Sequence, residues 1–148
     1  MNEIIGFRGR YFFLSNFFSR RVIIDDFVFK NNEAAFQSHK PENIKLREFF
    51  CWLEPSEAKK AGKKVKLRKD WESIKEEVMY KVVLAKFTQN FDLRNRLLMT
   101  GDMKLIEENN WGDTTWGTVD GEGKNLLGNI LMRVRKEIRI SMGGGGET

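Results

Sequence analysis

Two long apolar stripes constrain this chain more than any other feature. From Trp71 to Gln89 the residues Trp71, Ile74, Val78, Val82 and Ala85 recur at helical spacing, with Met79, Val83 and Lys86 beside them. Over residues 126–140, Leu126, Leu127, Ile130, Leu131, Val134 and Ile138 do the same. Each stripe has to be buried against other elements, so the spacing predicts two long amphipathic helices built into a packed domain. Asp70 is expected to cap the first and Asn125 the second. Arg133, Arg135 and Lys136 suit the C-terminal half of the second helix dipole.

The remaining elements are shorter. Residues 4–30 read as β, with runs 21–24 and 27–30 forming a hairpin around Asp25-Asp26, a weaker turn signal than Asp-Gly. Between Ile5 and that hairpin, the aromatic run from Tyr11 to Phe18 suggests burial, and the Ser15-Asn16 pair inside it suggests a turn whose polar side chains are used. Asn32 is placed to cap a helix over 33–40, on which Glu33, Gln37 and Lys40 share a face. Pro41 interrupts, and 42–52 resumes as a second helix. Pro55-Ser56 opens a short basic helix closed by Gly62. A further helix spans 92–100 and ends at Gly101, and 104–107 reads as a short strand. The fold class is α+β: a single domain over 1–142, mostly helical with a small antiparallel sheet, then a Gly-rich tail over 143–148 that is expected to be flexible and without chemistry.

Composition narrows the function classes. At 148 residues the chain buries roughly 70% of the surface its unfolded form exposes, enough for a core without staples. Cys51 is the one cysteine and His39 the one histidine, so there is no intrachain disulfide, which fits a reducing cytoplasm, and no zinc ligand set; Mg²⁺ held by carboxylates alone stays open, though no clustered acidic motif points to it. Cys51, between Phe50 and Trp52, reads as a small buried apolar residue rather than a nucleophile. No apolar run approaches the ~18 residues of a membrane span, and the N-terminus carries no signal-peptide core. The net charge of +5 and pI of about 9.4 favour anionic ligands such as phosphates, nucleotides or nucleic acid. The clearest basic cluster, 59–69, contains no aromatic, which argues against a single-strand stacking groove there.

Chemistry concentrates in two places. Residues 110–125 read N-W-G-D-T-T-W-G-T-V-D-G-E-G-K-N, a mixture of indoles, glycines and charges suited to a binding loop rather than a core. Asp113 lies in it, flanked by Trp111 and Trp116, and either caps a turn or serves chemistry. Gly121 to Asn125, at a helix start, is either a plain loop or a cradle of backbone amides for phosphate. The second place is the helix opening at Glu33, a carboxylate that either complements the dipole or stabilises a cationic, sugar-like transition state. Trp71 is either a core residue or a pocket wall. His39 more naturally packs at a helix edge than drives a triad.

The motifs Phe13-Leu14-Ser15-Asn16-Phe17, Glu33-Ala34-Ala35-Phe36-Gln37-Ser38-His39-Lys40, Ser56-Glu57-Ala58-Lys59 and Arg68-Lys69-Asp70-Trp71 stand in order along the chain. They continue with Met79, Lys86-Phe87, Leu97-Leu98-Met99-Thr100-Gly101-Asp102, Leu105-Ile106-Glu107, Asp113, Trp116-Gly117 and Gly123-Lys124-Asn125-Leu126-Leu127-Gly128. Together, from Phe7 to about Arg139, they resemble the YbiA-like, or NADAR, family. The resemblance implies a cofactor-independent N-glycosidase. Its substrate would be a small phosphorylated ribosylamino-pyrimidine of riboflavin synthesis; the alternative is ADP-ribose on guanine in nucleic acid. A third alternative is a non-catalytic NAD or ADP-ribose binding module. The resemblance makes Glu33 and Asp113 the catalytic acids and Trp71 an active-site aromatic. Asn16, Trp116, Gly117, Lys124, Asn125 and Arg8, with Arg10 beside it, are the expected substrate contacts. Ala35, where the family more often has an aromatic, and Asp25-Asp26, where it commonly has Asp-Gly, depart from the pattern.

Overall fold

A computed structural model describes residues 2–143. Asn2 to Gly143 are mostly helical, and the backbone gathers them into two compact units.

One unit spans Asn16–Gln89. It opens with β2 (Ser19–Ile24) and β3 (Phe27–Asn31), antiparallel, with Val22 opposite Phe29 and Ile24 opposite Phe27. The register shifts between Ser19 and Val22. Asp25 and Asp26 form the two-residue connection with φ of 52° and 69°, the left-handed pair that a type I′ turn requires. Asp side chains tolerate that region better than most, which is why the weaker signal still makes the tight hairpin.

Helix α1 (Asn32–Gln37) follows without a loop, and all six of its residues are buried. Its cap is Asn31, not Asn32: Asn31 Oδ1 accepts from the Ala34 amide at 2.7 Å while its amide donates to Leu53 O. The strand runs one residue further than its pattern suggests, so the capping position moves back by one. The segment after Pro41 is a 3-10 helix, Ile44–Trp52, instead of an α-helix. Of its apolar residues Phe50 is buried, while Ile44, Leu46, Phe49 and Trp52 are exposed.

Helix α2 (Pro55–Lys64) carries the expected proline start and a reciprocal Glu54–Glu57 capping box. It passes through Gly62, which is buried inside the helix and does not end it. Helix α3 (Trp71–Gln89) buries Trp71, Val78, Met79, Val82, Val83, Lys86 and Phe87. Asp70 serves its start through a backbone carbonyl, which accepts from Ser73 and Ile74, because its carboxylate is held by Arg68 at 2.6 and 3.0 Å.

The other unit comprises the segments on either side. Strand β1 (Glu3–Ile5) pairs with β4 (Lys104–Ile106) in parallel, so a parallel pair exists beside the antiparallel hairpin. Between β1 and Ser15, the aromatic run forms a 3-10 helix, Gly9–Leu14, that buries Phe13 and Leu14. Helix α4 (Phe91–Met99) ends before Gly101, whose φ is 65°. Helix α5 (Leu126–Gly143) buries Leu127, Ile130, Leu131, Val134 and Ile138, the stripe that the spacing predicts apart from Leu126, which is half-buried. Arg135, itself buried, donates to Thr100 Oγ1 at 2.8 Å, and Arg139 caps the end of α4 through Gly101 O. The tail expected over 143–148 lies outside the described residues apart from Gly143, which closes α5.

Candidate active site

Within the Asn16–Gln89 unit, Glu33 stands in the first turn of α1 and is 8% exposed. Its backbone amide donates to Asn16 O at 3.0 Å, which ties the Ser-Asn turn to the helix start. Asn16 is itself buried, and its side-chain amide points at Met79 Sδ, 3.3 Å away. One turn beyond Glu33, Gln37 Nε2 donates to Glu33 Oε2 at 2.7 Å.

Trp71 is brought to this carboxylate's helix by backbone pairing. The Arg68 amide donates to Lys40 O, the Glu42 amide to Lys66 O, and the Trp71 amide to Arg68 O. The loop before α3 is thereby stitched to the end of α1. Trp71 meets Phe36 edge-on, with ring centroids 5.3 Å apart. The Lys40 ammonium lies 5.8 Å from the Phe36 centroid and 5.7 Å from that of Trp71, a cation over two aromatic faces. Burial pulls Lys40 below the usual lysine range; Glu33 opposes that shift, and Lys63, Lys75 and Lys59 add to it. Three further cations thus lie close enough to Lys40 to disfavour its charge, Lys75 being paired with Glu72 at 2.7 Å. Lys59 also reaches an aromatic, Phe17, at 5.9 Å, an interleaving that the bare run 59–69 does not display.

Gln37, Lys40 and Phe36 are the residues of this arrangement that a reading built on Glu33, Trp71 and Asn16 leaves out. The signal for two of them is in the sequence: Glu33, Gln37 and Lys40 fall at i, i+4 and i+7. His39 faces elsewhere. Its Nδ1 lies 2.8 Å from Ala35 O and its Nε2 3.2 Å from the Arg47 guanidinium. Burial, with Arg47, pushes its pKa down to about 4. Cys51 is half-buried, and burial, with Glu48, raises its thiol pKa, the opposite of nucleophile activation.

The other unit holds the Trp/Gly loop. Asp113 Oδ1 accepts from the amides of Thr115 and Trp116 at 3.0 and 2.9 Å, so this oxygen holds a turn. The Asp113 amide and carbonyl are both bound by the side chain of Asn109, which is buried. Gly117 is buried where a Cβ would collide with Glu107 O, so only glycine fits. The expected phosphate cradle is filled by the protein itself. The amides of Lys124, Asn125, Leu126 and Leu127 donate to the carbonyls of Thr114, Gly117, Thr115 and Trp116. Asn125 does not cap α5 with its side chain: Oδ1 accepts from the Glu107 amide and Nδ2 donates to Leu105 O, fastening the helix start to β4. Its φ of 52° turns the chain into the helix. Those four amides and the Asn125 side chain are therefore taken, which corrects the expectation that they grip phosphate; the exposed Lys124 ammonium remains. Arg8 and Arg10 are exposed; Arg8 lies against Gly6, and Arg10 stacks on Tyr11 at 5.1 Å.

The NADAR domain model matches residues 7–139. The chain belongs to the NADAR domain family. This NADAR chain is 39% identical over 130 residues to N-glycosidase YbiA of Shigella flexneri serotype 5b, covering 85% of this chain and 81% of that protein. It is 35% identical over 131 residues to a riboflavin biosynthesis protein of Vibrio vulnificus, a match that takes in 86% of this chain and 35% of the longer protein. The NMR structure of the Escherichia coli protein YbiA is similar to this NADAR structure with a TM-score of 0.86 at 35% identity, covering 99% of this chain and 90% of that one. An α+β architecture, mostly helical with a small antiparallel sheet, is thus shared with a solved relative. Among the described residues, no helix of this NADAR domain is long and apolar enough to cross a membrane.

Proposed function

We infer that this NADAR domain is an N-glycosidase, a hydrolase that cleaves a ribose–nitrogen bond in a small phosphorylated nucleotide-like substrate, of the ribosylamino-pyrimidine class met in riboflavin synthesis. The observation that carries the reading is the Glu33 carboxylate, mostly buried and amide-bonded, on the short helix that also presents Phe36 to Trp71. Breaking the C1′–N bond sends its electron pair to nitrogen, which takes up a proton, and leaves positive charge on C1′ and the ring oxygen. A carboxylate held in place stabilises that charge as it develops. Water then adds at C1′ and loses a proton to a base.

Glu33 is the acid we assign to the cation, with Trp71 as the aromatic wall for base or sugar and Asn16 supporting the helix start. Asp113 is the second carboxylate of the proposal, acting through the oxygen that the turn leaves over. Trp116, Gly117 and Arg8 are proposed to line the substrate. The phosphate falls to the lysines acting on Lys40 (Lys59, Lys63 and Lys75), because the amides of residues 124–127 are occupied, and Lys124 is kept as a proposed substrate contact.

Glu33→Gln is expected to keep the fold and reduce turnover at least about 1000-fold, the scale of losing a preorganised charge at a transition state. Mass spectrometry of free base from a ribosylamino-pyrimidine phosphate measures this, and hydrolysis at the wild-type rate would reject the assignment. The lysine group also favours a second substrate, ADP-ribosylated guanine in an oligonucleotide, which is the parallel arm of the same assay. Tight ADP-ribose binding with no product from either arm would instead mark a binding module.

A further inference from the structure

We propose that Gln37 is a positioning residue that fixes the Glu33 carboxylate, and that Gly62 on α2 is the residue that lets it do so. This rests on the reading that Glu33 acts on the substrate. Gln37 is 5% exposed, and Nε2 meets Glu33 Oε2 at 2.7 Å. Its other end is costly: Oε1 is buried and, among the described residues, has no hydrogen-bond partner. A buried amide oxygen without a donor is among the rarer features of a folded chain. Turning the amide over would bring oxygen against a carboxylate, so the charge on Glu33 dictates which end goes unsatisfied.

The second observation lies on another helix. Gly62 sits inside α2, where glycine is less favourable than alanine. A Cβ there would overlap Gln37 Oε1 and lie 2.7 Å from Gln37 Cδ. Two local costs, a helix glycine and an unpartnered acceptor, therefore meet at one point. A shorter side chain at position 37 removes the unpartnered acceptor and frees position 62 for alanine, and what such a replacement gives up is the donor to Glu33. The amide holds Oε2 in one direction and favours the ionised carboxylate, the form that meets a cationic transition state. Misplacing that oxygen penalises the step in which the charge develops more than it penalises binding.

Steady-state kinetics on Gln37→Met, Gly62→Ala, Gln37→Ala and the Gln37→Ala/Gly62→Ala pair test this, with Glu33→Gln measured alongside. Gln37→Met is expected to lower kcat about 10- to 100-fold with KM changed less than about threefold, and to move the acid limb of the rate–pH profile to higher pH. Gly62→Ala should lower kcat in the same way while its melting temperature holds, since the methyl displaces a flexible side-chain end. It also supplies the reading if Gln37→Met does not fold. In the Gln37→Ala background, Gly62→Ala should have no further effect, because the collision is gone. A wild-type kcat and pH profile in Gln37→Met, or additive effects of the pair, overturns the inference. If Glu33→Gln is inactive while those results hold, Gln37 is dismissed and Glu33 stands; if Glu33→Gln turns over normally, Glu33 itself is dismissed.

Discussion

His39 illustrates how one residue's surroundings decide its chemistry. A lone histidine next to a candidate catalytic helix invites a role in proton transfer. The hydrogen bonds argue for a neutral ring: Nδ1–H donates to Ala35 O, which leaves Nε2 to accept from Arg47. Asp25 stands 3.8 Å from Nε2, but its carboxylate is already engaged by Arg47 at 3.0 Å and Lys81 at 2.7 Å. The folded pKa of about 4 lies below the ordinary 6.5. Between those values the unfolded chain binds the proton and the folded one does not, so stability is full above pH 6.5 and declines as pH falls toward 4. The size of the loss is about 3 kcal/mol at 1.36 kcal/mol per pH unit. Urea unfolding at pH 7 and pH 4.5 is expected to show a larger drop for the wild type than for His39→Gln, which cannot titrate in this range. Equal drops would mean that the ring is already charged in the folded state.

At the scale of elements, the hairpin tip carries a conformational cost that its sequence advertises. Asp25 and Asp26 both adopt positive φ, and a left-handed residue other than glycine costs roughly 1–2 kcal/mol. Asp25 recovers part of this through Lys81 and Arg47, whose contacts hold its carboxyl below the usual range, Lys81 first. Among the described residues, no hydrogen bond or ion pair engages the Asp26 carboxylate. Asp26→Gly is therefore expected to stabilise the protein by about 0.5–1 kcal/mol, the relief of strain less the added freedom of the unfolded chain. A rise of a few degrees in melting temperature checks it, and a fall would show that Asp26 holds the turn through its side chain. The same elements show what was legible beforehand. The stripes of α3 and α5 and the α2 start were readable because each depends on residues within a turn of one another. The identity of the α1 cap, the 3-10 helix at Ile44–Trp52 and the parallel pairing of β4 with β1 were not, because long-range contacts decide them. In the candidate site, Glu33, Gln37 and Lys40 could be grouped by helical spacing. That the amides of residues 124–127 are occupied could not be read, since the carbonyls that occupy them come from a loop whose path no local pattern specifies.

For the molecule as a whole, the deciding quantity is how its positive charge meets a substrate. The chain carries +5, and Lys59, Lys63 and Lys75 act together on Lys40. A small phosphorylated ribose presents one or two charges to such a group, so few counterions are displaced and KM should rise gently with salt. An oligonucleotide laid along α2 and the basic stretch after it would displace one counterion for each phosphate neutralised. Six such contacts weaken binding about 1000-fold between 50 and 200 mM salt. Measuring KM for the ribosylamino-pyrimidine phosphate and for an ADP-ribosylated guanine oligonucleotide across that range separates the two substrates by slope rather than by affinity. The expected outcome is turnover of the metabolite with KM changing less than about tenfold, because its phosphate brings only one or two charges to the lysines that act on Lys40. Turnover confined to the oligonucleotide, with the steep slope, would make the whole basic run a nucleic-acid track and transfer the assignment to ADP-ribose removal.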